Sequence, residues 1–235
     1  MAINNCEQFI YSSSATVYGD AVAPVNENSI TGQGLSCNYA KNKYDIEQYL
    51  INNTKMKIII LRYFNPIGAH PSGLIGENPN GLPNNIFPYL LRVAKWTNIE
   101  NDKELKTNSY EKFTVFGNDY MTRDGTCIRD YVHVQDLAQA HIDVLSIFEK
   151  NNNPFTKIYN VGTGKGTTVT ELITTFNKIL IERNKKPIKI HYGDRRIGDL
   201  DISYSNVNKI YDEVGFRTKY DIETMCIDGL NFIGL

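Results

Sequence analysis

The apolar run at residues 57–64 constrains the fold of this chain more than any other stretch. Its centre is Ile-Ile-Ile-Leu, with no polar side chain to face water. Such a short β-branched run is typical of a strand buried on both faces of a parallel sheet. Residues 7–13 are predicted to form a shorter strand, and residues 38–53 a helix. Strand, helix and strand in succession predict a right-handed βαβ unit.

The predicted helix at residues 38–53 has two expected features. Ser36 is a candidate N-terminal cap, and Ile46, Tyr49 and Leu50 would form the apolar side. Inside this helix, Tyr39 and Lys43 stand four residues apart and share one face. An ammonium group stabilises a nearby phenolate, so such a pair is suited to proton transfer. The spacing also occurs by chance, and the alternative is a half-buried Tyr covered by a Lys stem.

The rest of the chain alternates strands and helices, which is typical of the α/β class. Strands are expected at residues 113–116, 129–134, 158–161 and 188–191. Helices are expected at residues 87–96, 136–150 (capped by Asp136), 169–182 and, last, 205–214. Residues 65–88 are rich in Asn, Pro and Gly and predict a functional loop system. Residues 98–111 are polar and predict a surface insertion.

Composition excludes several classes of function. The 25 basic and 26 acidic side chains nearly cancel and form no long run, so nothing favours nucleic acid or an anionic membrane. The apolar runs are too short to cross a bilayer, and the first residues do not have the pattern of a signal peptide. The 4 cysteines lie far apart. Reduced thiols in a cytoplasmic protein are therefore expected.

Several polar residues are candidates for a binding site. Ser14 follows a predicted strand end, where open α/β sheets bind ligands, although a turn hydroxyl is equally expected there. Arg129 and the pair Arg195-Arg196 are candidates for a diphosphate clamp, with solvated side chains as the alternative. Asn84-Asn85 could bind a neutral polar ring or form a turn.

Two further patterns point to structure rather than chemistry. The glycine-rich residues 162–166 fit neither the P-loop nor the dinucleotide pattern, so a tight strand-to-helix turn is expected. His133 lies in an apolar strand and is expected to be a core histidine. No metal-spaced cluster and no Ser/His/Asp arrangement stands out.

Taken together, these motifs resemble the extended short-chain dehydrogenase/reductases, and within them the UDP-glucose 4-epimerase family. The stretches that carry the resemblance are residues 9–19, 39–43, 61–66, 68–73, 81–85, 116–120, 129–134, 159–162 and 195–200. The resemblance implies the C-terminal part of a Rossmann-type parallel sheet plus a smaller α/β substrate-binding domain. Residues 1–66 would belong to the NAD-binding domain and residues 67–235 to the UDP-sugar-binding domain. Segments near 127–165 would pack back on the Rossmann sheet.

The resemblance also implies roles for individual residues. Tyr39 resembles the base that takes the proton of the sugar 4-hydroxyl, and Lys43 the residue that binds the nicotinamide ribose of NAD. Ser14 resembles the hydroxyl that positions that proton, and Tyr63 a contact on the nicotinamide side. The residues that resemble UDP-sugar contacts are Asn65, Asn84, Asn85, Phe116, Arg129, Arg196 and Asp199.

The implied reaction is interconversion of UDP-glucose and UDP-galactose, in a homodimer, through oxidation at C4 by NAD. At the position of Ser203, bacterial members resemble one another in having a bulky Tyr. The smaller serine would leave room for an N-acetyl group, so the resemblance implies that N-acetylated UDP-sugars are also accepted. The family begins with a glycine-rich phosphate loop, and roughly its first hundred residues have no counterpart in this sequence. A cofactor-free UDP-sugar-binding fragment therefore stays open as an alternative, as does a related NDP-sugar dehydratase or decarboxylase.

Overall fold

The computed structural model describes residues 6–52, 55–98 and 110–235, and strands alternate with helices along these ranges. The strands are β1 (Gln8–Ser14), β2 (Lys57–Tyr63), β3 (Asn65–Ile67), β4 (Phe113–Phe116), β5 (Ile128–Arg129), β6 (Tyr131–His133), β7 (Phe155–Val161), β8 (Thr167–Thr168), β9 (Ile190–Gly193) and β10 (Ile202–Ser203). The helices are α1 (Asn38–Ile51), α2 (Ile86–Asn98), α3 (Val134–Asp143), α4 (Leu145–Glu149), α5 (Val169–Glu182), α6 (Asn208–Val214) and α7 (Ile222–Phe232). A 3₁₀ helix, Ala15–Tyr18, follows β1.

The main sheet has the order β1-β2-β7, and both of its strand pairs are parallel. Its central strand β2 is covered on both faces, and Ile58 through Leu61 are fully buried. Ile58 and Ile60 pack with Leu50 of α1, whereas Ile59 and Leu61 pack with side chains of α3 and α4. The prediction of a doubly buried parallel strand within a βαβ unit is confirmed.

Helix α1 lies on the sheet in a different rotation from the predicted one. Its buried residues are Ala40, Glu47 and Leu50, while Ile46 and Tyr49 are exposed. The predicted apolar side was therefore wrong for two of its three residues. The predicted cap was also wrong, because the residue before the helix is Cys37, which makes no side-chain capping bond.

A buried ion pair fixes this rotation of α1. The Glu47 carboxylate accepts hydrogen bonds from Arg62 Nε (3.1 Å) and Nη2 (2.7 Å) and from Ser13 Oγ (2.5 Å). Both charged side chains are almost completely shielded from water. Burial by itself lowers the pKa of Arg62, but its interactions with Glu47 and Tyr18 together outweigh that effect and raise the pKa overall. Turning Ile46 and Tyr49 inward would break these bonds.

The second half of the molecule has its own core, formed largely by α2, α5, α7 and strand β4, which pairs with β9. Phe87 and Phe176 meet edge to face at its centre. The sequence prediction missed α7, having ended with the helix near residue 214. Ile222, Met225, Cys226 and Leu230 carry a helical spacing that could have revealed it, and Asp221 caps the helix through Thr224 N.

Two other predicted elements differ in detail. The strand expected at residues 129–134 is divided into β5 and β6, which belong to different sheets. The helix expected at residues 136–150 is divided into α3 and α4. The cap of α3 is His133, whose Nδ1 accepts from Gln135 N, whereas Asp136 is buried in the first turn and accepts from the backbone of Lys219. Residues 99–109 of the predicted insertion lie outside the described residues.

The substitution Glu47→Gln tests the importance of the buried ion pair. It leaves the Arg62 charge buried without its counter-charge, so we expect the free energy of unfolding to fall by about 3 kcal/mol or more. The matched control is Glu182→Gln, which breaks the exposed pair with Lys178 and should cost no more than about 0.5 kcal/mol. Urea titration of the three proteins measures both effects. Equal losses would contradict this account of α1.

Candidate active site

Three consecutive serines at the end of β1 make three different sets of contacts. The Ser12 carbonyl accepts from Lys43 Nζ (2.7 Å), and its hydroxyl is hydrogen-bonded to the Tyr63 hydroxyl (2.7 Å). Ser13 donates to the buried Glu47 carboxylate. Ser14 caps the 3₁₀ helix by accepting from Thr16 N (3.2 Å) and lines a cavity. Side chains alternate along a strand, so neighbouring serines serve the core and the site in turn.

Two adjoining cavities lie beyond the carboxyl ends of β1 and β2, where ligands of parallel α/β sheets bind. The larger has a volume of about 310 Å³ and includes Asn84, Asn85, Phe116 and Arg196 in its wall. The smaller has a volume of about 210 Å³ and includes Ser14, Tyr63 and Ser203. Both are lined by Asn65, Arg129 and Asp199. These three shared residues form what we call the junction.

The junction places a guanidinium group between the two cavities. Arg129 Nη1 donates to the carbonyls of Leu200 (2.7 Å) and Ile128 (2.9 Å), which fixes the direction of the side chain. Its Nη2 lies 3.4 Å from Asp199 Oδ1, a long contact in a partly exposed pair. A loosely paired guanidinium fork suits a phosphate group, which it can bind through two parallel bonds.

The predicted Arg195-Arg196 clamp is divided between two places, so it was wrong as a pair. The Arg196 guanidinium stacks 4.0 Å from the centroid of the Phe116 ring and lines the larger cavity. Arg195 is bound instead to Asp119 Oδ1 (2.7 Å) and lies over the Tyr120 ring. The Arg195 guanidinium also holds the pKa of Asp119 below its usual value. Of this pair, Arg196 alone lines a cavity and remains for a ligand.

Tyr39 and Lys43 share one face of α1, as predicted, but they belong to neither cavity wall. Tyr39 is exposed over 54% of its surface. Lys43 Nζ lies 5.5 Å from the Tyr39 ring centroid and 5.0 Å from that of Tyr11. Among the described residues, the bond to Ser12 is the one hydrogen bond of this ammonium group, so donors remain for a ligand.

Tyr63 connects the wall of the smaller cavity to Lys43 through Ser12, to which both residues bond. Burial raises the pKa of its phenol, and the neighbouring Tyr39 adds to this effect. Tyr63 forms part of the cavity wall, and its hydroxyl bonds to Ser12 and to His141 of α3. The hydroxyl groups of Tyr63 and Ser14 thus belong to the same corner of the molecule as Lys43.

Two structural readings from the sequence are confirmed. His133 is fully buried, with Nε2 lying 3.1 Å from Asp228, and burial lowers its pKa. The glycine-rich residues 162–166 form a turn held by the buried Asp130 carboxylate, which accepts from Thr163 N (2.7 Å) and Gly164 N (3.1 Å). Neither feature faces the cavities.

Sequence reasoning missed several residues of the cavity walls. The missed side chains of the larger cavity include Leu82, Tyr89, Cys127 and Tyr131, and those of the smaller one include Thr16 and Ser36. Tyr89 could have been found, because it follows Asn85 by one helical turn. The other residues come together through tertiary packing and carry no local signal.

The described part of the chain holds no group of three or more His, Cys, Asp or Glu side chains able to bind a metal ion. Across the same residues, no helix is long and apolar enough to cross a membrane.

Comparison with known proteins identifies the class. Residues 1–162 match the NAD dependent epimerase/dehydratase family, so the chain belongs to that family. It is 38% identical to a UDP-glucose 4-epimerase of Caenorhabditis elegans over 97% of this chain and 62% of that protein. It is 40% identical to a UDP-glucose 4-epimerase of Cyamopsis tetragonoloba over 99% of this chain and 62% of that protein.

Solved structures give the same fold. The UDP-glucose 4-epimerase of Bifidobacterium longum, crystallised with NAD+ and UDP, superposes with a TM-score of 0.85 at 38% identity. The match covers 99% of this chain and 65% of that one. The predicted Rossmann-type α/β class is thereby confirmed. The chain spans about 62% of the length of these curated relatives.

Ser13→Ala and Ser14→Ala separate structure from site. Ser13→Ala removes a donor from a buried carboxylate, and we expect a loss of about 1 to 3 kcal/mol in the free energy of unfolding. Ser14→Ala removes a cap at the edge of a cavity and should cost at most about 1 kcal/mol. Denaturant titration measures both losses. A larger loss for Ser14→Ala would contradict the assignment of the two hydroxyls.

Proposed function

We propose that this chain carries the UDP-sugar site and the catalytic tyrosine, lysine and serine of a UDP-glucose 4-epimerase that interconverts UDP-glucose and UDP-galactose with NAD. The observation that carries the proposal is the pair of cavities joined at Asn65, Arg129 and Asp199. The seven residues that resemble UDP-sugar contacts, together with Ser14 and Ser203, all line one or both of these cavities. The family and the relatives named above support the same reaction.

A nucleotide sugar suits the two cavities in one direction. The diphosphate would lie at the junction, where Arg129 offers its loosely paired guanidinium. The uracil would lie in the larger cavity beside the Phe116–Arg196 stack, because a planar base packs well against such groups. The hexose would then lie in the smaller cavity, where Ser14 offers a hydroxyl.

The chemistry assigned to this chain is proton transfer and orientation. Tyr39 Oη, as phenolate, would take the proton of the sugar 4-hydroxyl, with Ser14 Oγ positioning that hydroxyl. The Lys43 ammonium group, 5.5 Å from the Tyr39 ring centroid, would stand beside Tyr39 Oη as a counter-charge. When bound, NAD would supply reversible hydride acceptance at sugar C4. On return of the hydride to the other face of the ring, the Tyr39 hydroxyl would give its proton back.

The residues of this chain fit one end of the cofactor. Lys43 has unused donors for the ribose hydroxyls, and the exposed Tyr39 ring and the wall residue Tyr63 would border the nicotinamide. No Gly-x-x-Gly-x-x-Gly pattern occurs in the sequence. The chain therefore offers residues for the nicotinamide ribose and no phosphate-binding turn of that type.

Three finer proposals accompany the reaction. Residues 1–66 and 67–235 would form the cofactor and substrate domains, with β7 completing the first sheet. A cytoplasmic location is supported by the free thiols of the four cysteines. A homodimer is the assembly that the family resemblance implies.

The decisive experiment uses the purified 235-residue chain. We expect UDP to bind and NAD to bind weakly, so that UDP-galactose is converted to UDP-glucose only slowly and at high NAD concentration, with Tyr39→Phe lacking the conversion but still binding UDP. Binding of UDP without NAD binding or conversion would instead favour the cofactor-free UDP-sugar-binding alternative. Release of a dehydrated or decarboxylated sugar would favour the third candidate. Failure to bind UDP would refute the proposed site.

Arg196→Gln should weaken UDP binding about tenfold, because it removes a charged group from the wall of the larger cavity. Arg195→Gln is the matched control: the adjacent arginine is bound to Asp119 outside the cavity, so UDP affinity should stay within twofold. Isothermal titration calorimetry measures both affinities. Equal weakening by the two substitutions would argue against the division of this arginine pair.

Ser203→Tyr tests the predicted substrate range. Ser203 is half-buried in the wall of the smaller cavity, where a larger ring would fill space available to an N-acetyl group. We expect the wild-type protein to bind UDP-GlcNAc and UDP-glucose with similar affinity. The variant should bind UDP-GlcNAc at least tenfold more weakly and UDP-glucose with unchanged affinity. Competition against bound UDP measures the ratio, and an unchanged ratio would rule out this role of Ser203.

A further inference from the structure

We propose that His141 is a positioning residue that acts through Tyr63 and holds the wall of the smaller cavity. His141 lies on α3, and neither cavity includes it in its wall. Its Nε2 lies 2.5 Å from the Tyr63 hydroxyl oxygen, and the two rings are 5.5 Å apart between centroids. This inference rests on the proposed function, because the proposed function assigns the hexose to the smaller cavity.

The protonation pattern of His141 follows from its other contact. Nδ1 lies 2.8 Å from the carbonyl oxygen of Leu137, one turn back along α3. A carbonyl can only accept, so Nδ1 carries a hydrogen and donates it. The neutral tautomer with its hydrogen on Nε2 is thereby excluded. Nε2 is then directed at Tyr63 by a ring whose orientation the helix itself fixes.

Tyr63 passes this constraint to the catalytic corner. Since its one hydrogen is directed at Nε2, the phenol oxygen of Tyr63 faces Ser12 Oγ, 2.7 Å away, as the acceptor of the serine's own hydrogen. The carbonyl of the same serine accepts from Lys43 Nζ. A carbonyl cannot relay a proton, so the arrangement transmits position rather than a proton. Four elements are joined in this way: α3 by His141, β2 by Tyr63, β1 by Ser12 and α1 by Lys43.

Loss of the His141–Tyr63 bond should affect binding of the hexose and leave binding of the nucleotide unchanged. Tyr63 lines the smaller cavity, which is assigned to the hexose, whereas Phe116 and Arg196 line the larger cavity, which is assigned to the uracil. Release of the Tyr63 hydroxyl would let the ring leave its place in the wall. UDP-glucose would lose affinity, whereas UDP, which has no sugar, would not.

The first test needs no ligand. Long-range ¹H–¹⁵N spectra of the 235-residue chain with ¹⁵N-histidine report which ring nitrogen carries hydrogen. We expect a protonated Nδ1 for His141, and we expect Tyr63→Phe to shift its Nε2 resonance while leaving His70, His133 and His191 unchanged. Tyr49→Phe, at an exposed tyrosine of α1, is the control and should shift none of them. An Nε2–H tautomer, or no response to Tyr63→Phe, would overturn the inference.

The second test measures UDP-glucose and UDP affinity by calorimetry. His141→Phe keeps the ring but loses Nε2, and we expect about tenfold weaker UDP-glucose binding with UDP within twofold. His141→Gln keeps a polar group and should recover part of the loss, and His191→Phe, at an exposed histidine, should have no effect. Unchanged UDP-glucose affinity in folded His141→Phe and His141→Gln would refute the positioning role. If the wild-type chain bound neither ligand, the proposed function would fail, while the histidine spectrum would still decide whether Tyr63 is held.

Discussion

The arrangement of this molecule depends on one buried ion pair. Glu47 of α1 binds Arg62 of β2 and Ser13 of β1, so a single carboxylate joins the helix to two neighbouring strands. Each of these residues stands near one that faces the site: Ser13 precedes Ser14, Arg62 precedes Tyr63, and Glu47 follows Lys43 by one turn. A buried charge tolerates little displacement of its partner, because the desolvated ions lose their compensation. The ion pair therefore fixes the relative placement of the residues proposed to act in catalysis, without lining either cavity itself.

Division of labour between neighbours recurs across the site. Consecutive serines at the end of β1 serve a lysine, a buried carboxylate and a cavity. Consecutive arginines serve a surface ion pair and a ligand wall. The three residues of the junction likewise serve two places, because they border both cavities. The Arg129 guanidinium is loosely paired where the two cavities meet. A ligand with a charged centre and two uncharged ends matches that distribution.

The sequence predicted the sheet because β2 carries its whole signal locally, in a run of four apolar side chains. Motif resemblance predicted the substrate contacts, and the structure brings all of these to two adjoining cavities, whereas the predicted pair Tyr39 and Lys43 lines neither of them. Sequence prediction failed for α1, where Ile46 and Tyr49 favoured one face and the polar residue Glu47 determined the other. Hydrophobic pattern cannot anticipate a buried ion pair whose partner lies on another element. The prediction that Arg195 and Arg196 act as a pair failed for the same reason, because Asp119, which binds Arg195, is distant in the sequence.

The central claim is that the two cavities form one nucleotide-sugar site with its diphosphate at the junction. A crystal structure of the 235-residue chain with UDP-glucose tests it most directly. The account predicts uracil beside Phe116, the diphosphate within hydrogen-bond distance of Arg129, and the hexose against Ser14 and Ser203. UDP-glucose bound with its diphosphate away from Arg129, or with the hexose outside the smaller cavity, would contradict it.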